Sequence, residues 1–191
     1  MSKRIRIIMA VALTGLILLL FSTRIVLLAT GHYLEKKEID TAIISPDVLF
    51  NFDQFGSTGG LLKTYYIRGW ALNTGYESDT EKNISIIFKA DTFGYEIKPS
   101  KVVRRDVAVY YSELNLKPEG LGFEDTFSAI AFKDGTYEMF VKVWETGQEA
   151  SITTTNRHFI KEGSSFKEIF EDDDKALIDE YFDVKNFAVG D

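Results

Sequence analysis

Residues 7–22 form an apolar run without a single charge, and the run resumes after Arg24 and continues to Thr30. A bilayer core of roughly 30 Å requires about 20 helical residues, which this stretch supplies. A helix that is apolar on every side also fits a membrane better than the surface of a globular domain. The pattern therefore predicts a transmembrane helix over residues 7–30.

Basic residues lie at both ends of this predicted span. Three of them precede it: Lys3, Arg4 and Arg6. The positive-inside rule places that end in the cytoplasm. Arg24 lies about one turn from the outer end, from where its side chain can reach the lipid headgroups. We therefore expect a single-pass plasma-membrane protein in which residues 1–6 are cytoplasmic, residues 7–30 contact the bilayer and the C-terminal domain is extracellular. Cleavage after Gly31, as in a signal peptide, is the alternative, and the length of the run favours an uncleaved anchor.

Period-two alternation of apolar and polar residues replaces this run between residues 43 and 161. Val48, Phe50 and Phe52 share one face of a first predicted strand, because successive side chains of a strand point to opposite sides. Further strands are predicted over residues 63–72, 83–90, 95–103, 122–132, 137–145 and 150–160. Such short, closely spaced strands predict an all-β domain, an antiparallel β-sandwich of about seven strands.

The segments on either side of this domain are more polar. Residues 31–42 are expected to form a short charged stalk. Residues 162–191 are expected to form an acidic tail, and two apolar patches at helical spacing leave two structures open for it. One is a C-terminal helix capped by Ser164 or Ser165, and the other is a loosely packed segment. A docking segment for a basic or membrane-proximal partner is the functional alternative.

Charge and cysteine content exclude several classes of function. The chain carries a net charge of -7 and its first 37 residues carry +5, so the remainder carries -12. Such an acidic domain lacks the surplus of lysine and arginine that phosphate contacts need, so nucleic acid is not expected as a partner. The chain has no cysteine, which excludes disulfides, thiol nucleophiles and cysteine-based zinc sites.

Residue types used in catalysis do not form a recognisable set. The two histidines are His32, beside the predicted span, and His158, on the last predicted strand. There is no nucleophile elbow and no His-Glu-x-x-His spacing. Residues 172–174 are three aspartates, but they lack the glycine and terminal glutamate of a calcium loop. We therefore expect no catalytic residue, no metal site and no cofactor.

Four short motifs occur in order along the β-domain: Arg68-Gly69-Trp70-Ala71, Arg104-Arg105-Asp106-Val107, Gly122-Phe123 and Gly135-Thr136-Tyr137. Their order over residues 43–161 resembles an Ig-like β-sandwich module of bacterial envelope proteins, which often accompanies glycosyltransferases and other surface-polysaccharide proteins. Leu121 is a departure, since the family usually has serine before Gly-Phe. The resemblance implies an Ig-like sandwich and a role in the bacterial cell envelope.

The residue types in these motifs predict structural roles. Trp70 is expected to be a core residue on a central strand and not a platform for a ligand, and Gly69 is expected to let a neighbouring chain approach closely. Gly122 and Gly135 are expected to supply turn conformations where two strands begin. The residues that follow them in those strands are Phe123 and Tyr137.

A short helix is predicted over Asp106–Tyr111, after the second motif begins. Asp106 is expected to accept hydrogen bonds from the free N–H groups of its first turn. Arg104 or Arg105 is expected to pair with this carboxylate or with a nearby carbonyl.

Two functions fit these observations, and a third fits less well. The first is a non-catalytic accessory module that binds an envelope protein, such as a glycan-assembly enzyme. The second is a carbohydrate-binding module, in which an exposed coplanar pair of aromatic rings would stack on a cell-surface glycan. The domain has tyrosines for this purpose: Tyr65, Tyr66, Tyr76, Tyr95, Tyr110 and Tyr111. The third, a small hydrolase or transferase, would require a pocket that gathers His158 with two carboxylates.

Overall fold

The computed structural model describes residues 5, 9–19, 22, 35–37, 44–59, 64–75 and 82–169. The chain divides into two compact units, Met1–Leu34 and Glu35–Asp191. In the first unit, residues 9–19 form helix α1. The large apolar side chains of α1 are exposed, among them Met9, Leu18 and Leu19.

Among the described residues, no helix combines the length and the apolar character that crossing a membrane requires. The predicted span over residues 7–30 extends beyond α1 into residues outside the described ranges. The boundary residues also lie outside them: Lys3, Arg4, Arg6 and Arg24. The transmembrane helix is therefore not supported by the structure and stays a prediction.

The second unit contains two antiparallel sheets. The strands of one sheet are β1 (Glu35–Lys37), β4 (Lys82–Lys89), β5 (Gly94–Ile97), β8 (Gly135–Glu145), β9 (Ser151–Glu162) and β10 (Ser165–Ile169). The strands of the other are β2 (Val48–Gly59), β3 (Thr64–Asn73), β6 (Ser100–Val102) and β7 (Gly122–Ser128). They pair in the orders β1-β5-β4-β8-β9-β10 and β2-β3-β7-β6. The prediction of an all-β antiparallel fold is confirmed, although the described residues form more strands than predicted.

Helical structure in this unit is short and follows β6. Helix α2 covers Arg105–Tyr110, and single 3₁₀ turns cover Ser112–Leu114 and Ala129–Ala131. The helix predicted over residues 106–111 is therefore present, and it begins and ends one residue earlier than predicted.

Pro99 divides one predicted strand into two. The segment predicted as a single strand over residues 95–103 forms β5 before Pro99 and β6 after it, and these strands belong to different sheets. Proline has no backbone N–H and cannot continue the ladder of hydrogen bonds, so the chain leaves one sheet at this point and joins the other.

The predicted stalk and acidic tail both contribute strands. Glu35–Lys37 of the stalk pairs with β5, and Ser165–Ile169 of the tail pairs with β9. The prediction of a helical or loosely packed tail is wrong over this stretch, because Phe166 points into the core and is only 2% exposed. The backbone N–H of Phe166 also donates to the Tyr65 hydroxyl at 3.0 Å, which joins the two sheets.

Aromatic rings fill the core between the sheets. Phe88 lies near its centre, with ring centroids 5.3–5.4 Å from those of four neighbours: Phe127, Phe132, Phe159 and Phe166. Each such pair adds about 0.5–1.5 kcal/mol beyond the area it buries. Since this domain has no disulfides, the packing of these aromatic rings is a main source of its stability.

Arg157 holds β2 against the edge of the larger sheet. Its guanidinium lies 5.3 Å from the ring centroids of both Phe52 and Phe55 of β2. The same group donates twice to Glu168 of β10, once at 2.6 Å. Because β2 pairs only with β3 in its own sheet, this contact helps to fix its position.

Candidate functional site

An open groove of about 560 Å³ lies between strand β2 and helix α2. Its lining comes from β2, from β3 and from α2 with the residue after it: Leu49, Phe50, Asn51, Trp70, Asp106, Val107, Tyr110 and Tyr111. Four of these side chains are aromatic. An amide, Asn51, and a carboxylate, Asp106, lie among them.

The aromatic rings of the groove meet at steep angles. The centroids of Trp70 and Tyr111 are 5.8 Å apart with their planes at 60°, and those of Tyr110 and Tyr111 are 4.8 Å apart at 78°. Tyr110 is 77% exposed. Neither of these two pairs is coplanar, and the three rings line the walls of the groove.

Helix α2 is held on the outer face of the four-stranded sheet by a small apolar cluster. The buried members of this cluster are Leu72, Val107, Leu116 and Leu121. Trp70 and Tyr111 pack against it. Val107 and Tyr111 are four residues apart and so lie on one face of the helix, while Tyr110 remains exposed beside the groove.

Trp70 therefore lies outside the core between the sheets. Strand alternation places it on the same face of β3 as Tyr66 and Arg68, which are half-buried like Trp70, whereas Ile67 and Ala71 on the opposite face are buried. Trp70 lies on a central strand, as predicted, but it is half-buried on the outer face of the sheet and does not lie between the two sheets. Its side chain instead packs under α2 and lines the groove.

Arg104 connects the carboxylate of the groove to strand β2. Its Nε and Nη2 donate to the two carboxylate oxygens of Asp106 at 2.9 and 2.7 Å, and its Nη1 donates to Asp53 at 2.5 Å. The predicted pairing of Arg104 with Asp106 is present. Such two-pronged contacts fix the direction of a carboxylate more firmly than a single hydrogen bond does.

The predicted capping role of Asp106 is present in part, because hydrogen bonds from the backbone N–H groups of Val107 and of Asp106 itself help to lower the pKa of its carboxylate, but Asp106 is not the N-cap residue. Arg104 occupies the N-cap position of α2, and no side chain accepts a capping hydrogen bond there. Asp106 lies in the first turn, where its charge still favours the positive end of the helix. Both of its oxygens also accept hydrogen bonds from the Arg104 guanidinium.

Two glycines permit close packing beneath the groove. A Cβ at Gly69 would collide with the backbone oxygen of Asn51 and lie 2.8 Å from the Phe123 ring. A Cβ at Gly122 would lie 2.5 Å from Cγ of Arg104. Gly122 is opposite Trp70 in the sheet, so the prediction that it supplies a turn is wrong, and its function is to make room for the arginine stem.

Three of the four sequence motifs thus meet at the groove, although they are far apart in the chain. Their members line it or pack directly beneath it: Gly69, Trp70, Arg104, Asp106, Gly122 and Phe123. The fourth motif begins β8. Gly135 has a φ of 148°, and the hydroxyl of buried Tyr137 donates to the Lys133 carbonyl at 2.7 Å. Burial raises the pKa of Tyr137, and this residue belongs to the core.

The sequence motifs did not include Asn51 and Asp53. These residues alternate with Phe50 and Phe52 along β2, and the Asn51 amide donates to Asp53 at 3.2 Å. When two polar residues alternate with large apolar residues on a strand, the sequence pattern predicts only that the polar side chains face solvent. The contact of Asp53 with Arg104, 51 positions away, gives the pair its place at the site.

The described residues at the groove do not include a cluster that could bind a metal ion, and the described histidine lies elsewhere. The described ranges contain no group of three or more histidine, aspartate or glutamate side chains placed to hold a metal ion. His158 lies opposite Glu138 in the larger sheet and does not line the groove. His32 lies outside the described ranges.

Acid is expected to weaken the Arg104–Asp106 contact. Hydrogen bonding from Arg104 lowers the pKa of Asp106 from 3.8 to about 2. A carboxylate with a depressed pKa contributes stability above its unfolded-state value, and this contribution is lost as the pH falls from about 4 to about 2. Asp106→Asn should therefore lower the melting temperature near neutral pH, where Asp106 is ionised, but only by about 2–4 °C because an exposed ion pair contributes little to stability. At pH 2 the substitution should change the melting temperature very little, because most of the contribution of the ion pair has already been lost.

Thermal unfolding of both proteins across this pH range checks the expectation. Glu113→Gln removes an exposed carboxylate from the neighbouring 3₁₀ turn and serves as the matched control. The expectation is wrong if Asp106→Asn and Glu113→Gln show the same pH dependence.

No protein-family model, curated protein or solved structure matches this chain.

Proposed function

We propose that this protein is a non-catalytic, membrane-anchored module of the bacterial cell envelope that binds surface polysaccharide in the groove between β2 and α2. The observation that carries the proposal is the combination of aromatic rings, among which Tyr110 is exposed, with a fixed carboxylate in one groove. Ligand sites of this kind join apolar surface to a few oriented polar groups.

The chemistry of a sugar matches this combination. A sugar ring has apolar C–H faces and hydroxyl groups around its edge. The aromatic rings of Trp70 and Tyr110 offer apolar faces, and Asp106 and Asn51 offer acceptors and donors for hydroxyls. Since the pKa of Asp106 is about 2, its carboxylate is an ionised acceptor at neutral pH. Rings set at steep angles can contact the face and the edge of one sugar together.

The predicted anchor favours a function at the cell surface. The apolar side chains of α1 are exposed, as expected of a helix that contacts lipid. A domain tethered to the membrane meets its ligand at a high effective concentration, so weak binding by one groove is sufficient. The resemblance to an Ig-like module of envelope proteins supports the same location, with the N-terminus cytoplasmic and the β-domain outside.

An accessory function with a protein partner is the second candidate. Val103 and Val109 are 51% and 74% exposed close to Tyr110, which is the kind of apolar surface that a partner protein covers. A stable protein interface buries about 800 Å² on each partner, more than one groove provides. The two candidates therefore differ in whether exposed residues beside the groove contribute to binding.

Tyr110→Ala is expected to weaken binding of isolated cell-wall polysaccharide about tenfold, since the loss of one aromatic contact costs about 1.4 kcal/mol. The measurement uses the full chain in detergent micelles and immobilised polysaccharide. Val109→Ala is the matched control, because Val109 is equally exposed on the same helix but does not line the groove. Absence of polysaccharide binding by the unaltered chain would refute the proposal, and equal losses of affinity in both variants would show that the groove is not the polysaccharide site.

A further inference from the structure

A second cleft lies farther along the same edge strand. It measures about 580 Å³ and is lined by residues 53–58 of β2 and by Tyr66 of β3. The pairing of β2 with β3 is irregular at both ends of this segment, between Phe52 and Gln54 and between Ser57 and Gly59. Such bulges redirect side chains and bend the strand locally. The cleft is lined by two aromatic residues, Phe55 and Tyr66, beside carboxylate, amide and hydroxyl groups.

The groove and the cleft lie on one face of the sheet. Tyr66, Arg68 and Trp70 are alternate residues of β3, so their side chains leave the strand on the same side. Tyr66 belongs to the cleft and Trp70 to the groove. Because they are four residues apart on an extended strand, the Cα atoms of Tyr66 and Trp70 are about 13 Å apart. Arg68, between them, pairs across the sheet with Gln54 of the cleft.

Arg104 also connects the two sites. Its guanidinium donates to Asp106, which lines the groove, and to Asp53, which lines the cleft. The Asn51 amide of the groove donates to the same Asp53 carboxylate. A continuous series of hydrogen-bonded side chains therefore runs from one site to the other, and it fixes their relative positions.

We infer that the groove and the cleft are two subsites of one track, and that this track takes an extended saccharide chain of several sugars. This inference rests on the proposed function and names its ligand class. Two aromatic residues whose Cα atoms are about 13 Å apart are spaced too widely for one sugar, but a short oligosaccharide spans them. The polar side chains between them suit the hydroxyls along such a chain. Each subsite contacts the same ligand molecule, so affinity should rise with chain length until both are filled.

Oligosaccharides from a partial hydrolysate of the wall polysaccharide test this inference. Fractions from the monosaccharide to about the hexasaccharide are titrated against the full chain in detergent micelles, with tryptophan fluorescence as the readout. Affinity is expected to rise steeply once the chain reaches the cleft. Tyr66→Ala should weaken the long fractions about tenfold and leave the monosaccharide unchanged.

Tyr66→Phe is the matched control, since it retains the ring and removes the hydroxyl that reaches Glu124. Gln54→Ala, at an exposed position of the cleft, gives an independent variant if Tyr66→Ala folds poorly. Equal affinity for all lengths, or equal losses for the monosaccharide and the long fractions, would overturn the inference and leave the proposed function intact. Failure of every fraction and of the intact polysaccharide to bind would overturn both.

Discussion

Replacing Phe166 with alanine is expected to lower the free energy of unfolding by about 3–5 kcal/mol. The side chain is 2% exposed, and its ring centroid lies 5.0–5.5 Å from those of neighbours on both sheets: Tyr65, Phe88, Phe132 and Phe159. Removing it opens a cavity among rings that cannot close around the gap. A domain of this size is stable by only about 5–15 kcal/mol, so the loss is a large part of the total.

Denaturant unfolding of the full chain in detergent, followed by tryptophan fluorescence, measures this loss. Lys167→Ala is the matched control, because the next residue of the same strand is exposed. We expect its free energy of unfolding to stay within about 0.5 kcal/mol of the unaltered protein. A similar small change for Phe166→Ala would show that β10 does not complete the core.

Gly69→Ala is expected to cost about 1–3 kcal/mol, toward the upper end of that range. The new Cβ would meet the backbone oxygen of Asn51, which cannot move without separating β2 from β3. Because Asn51 and Trp70 are paired beside this point, the same change should also lower the affinity for wall polysaccharide. Unfolding and binding are measured on the same preparation.

Gly56→Ala provides the control for this second prediction. Gly56 lies on β2 in the same pair of strands, and a Cβ there would meet nothing within 4 Å. We expect it to leave the free energy of unfolding almost unchanged. If the two alanine variants were equally stable, the close approach of β2 to Gly69 would be ruled out.

The strands that could be predicted are those whose alternation is long and regular. β3, β4, β8 and β9 lie close to their predicted ranges because apolar residues repeat along one face of each. β10 could not be predicted in this way. Phe166, Ile169 and Phe170 have helical spacing in the sequence, whereas the pairing of β10 with β9 and the contact of buried Phe166 with the distant Tyr65 favour a strand.

Several residues of the candidate site were singled out from the sequence, but their coming together in one groove was not predicted. Trp70, Arg104 and Asp106 were recognised as landmarks, but each was given a separate structural role. The groove forms because β2 passes close to α2, which brings Asn51 and Asp53 to Arg104. Contacts between residues about 50 positions apart leave no periodic pattern in a single sequence, so the polar half of the site could not be found there.

The hydrogen bond between Phe166 and Tyr65 has a consequence for the order of events during synthesis. It joins residues 101 positions apart, and Phe166 also contacts rings from most of the intervening strands. The aromatic core is therefore incomplete on a ribosome until residue 166 has emerged. Folds whose contacts span such separations form slowly. We expect the emerging chain to remain open, and accessible to proteases and chaperones, until almost all of the described domain has been made.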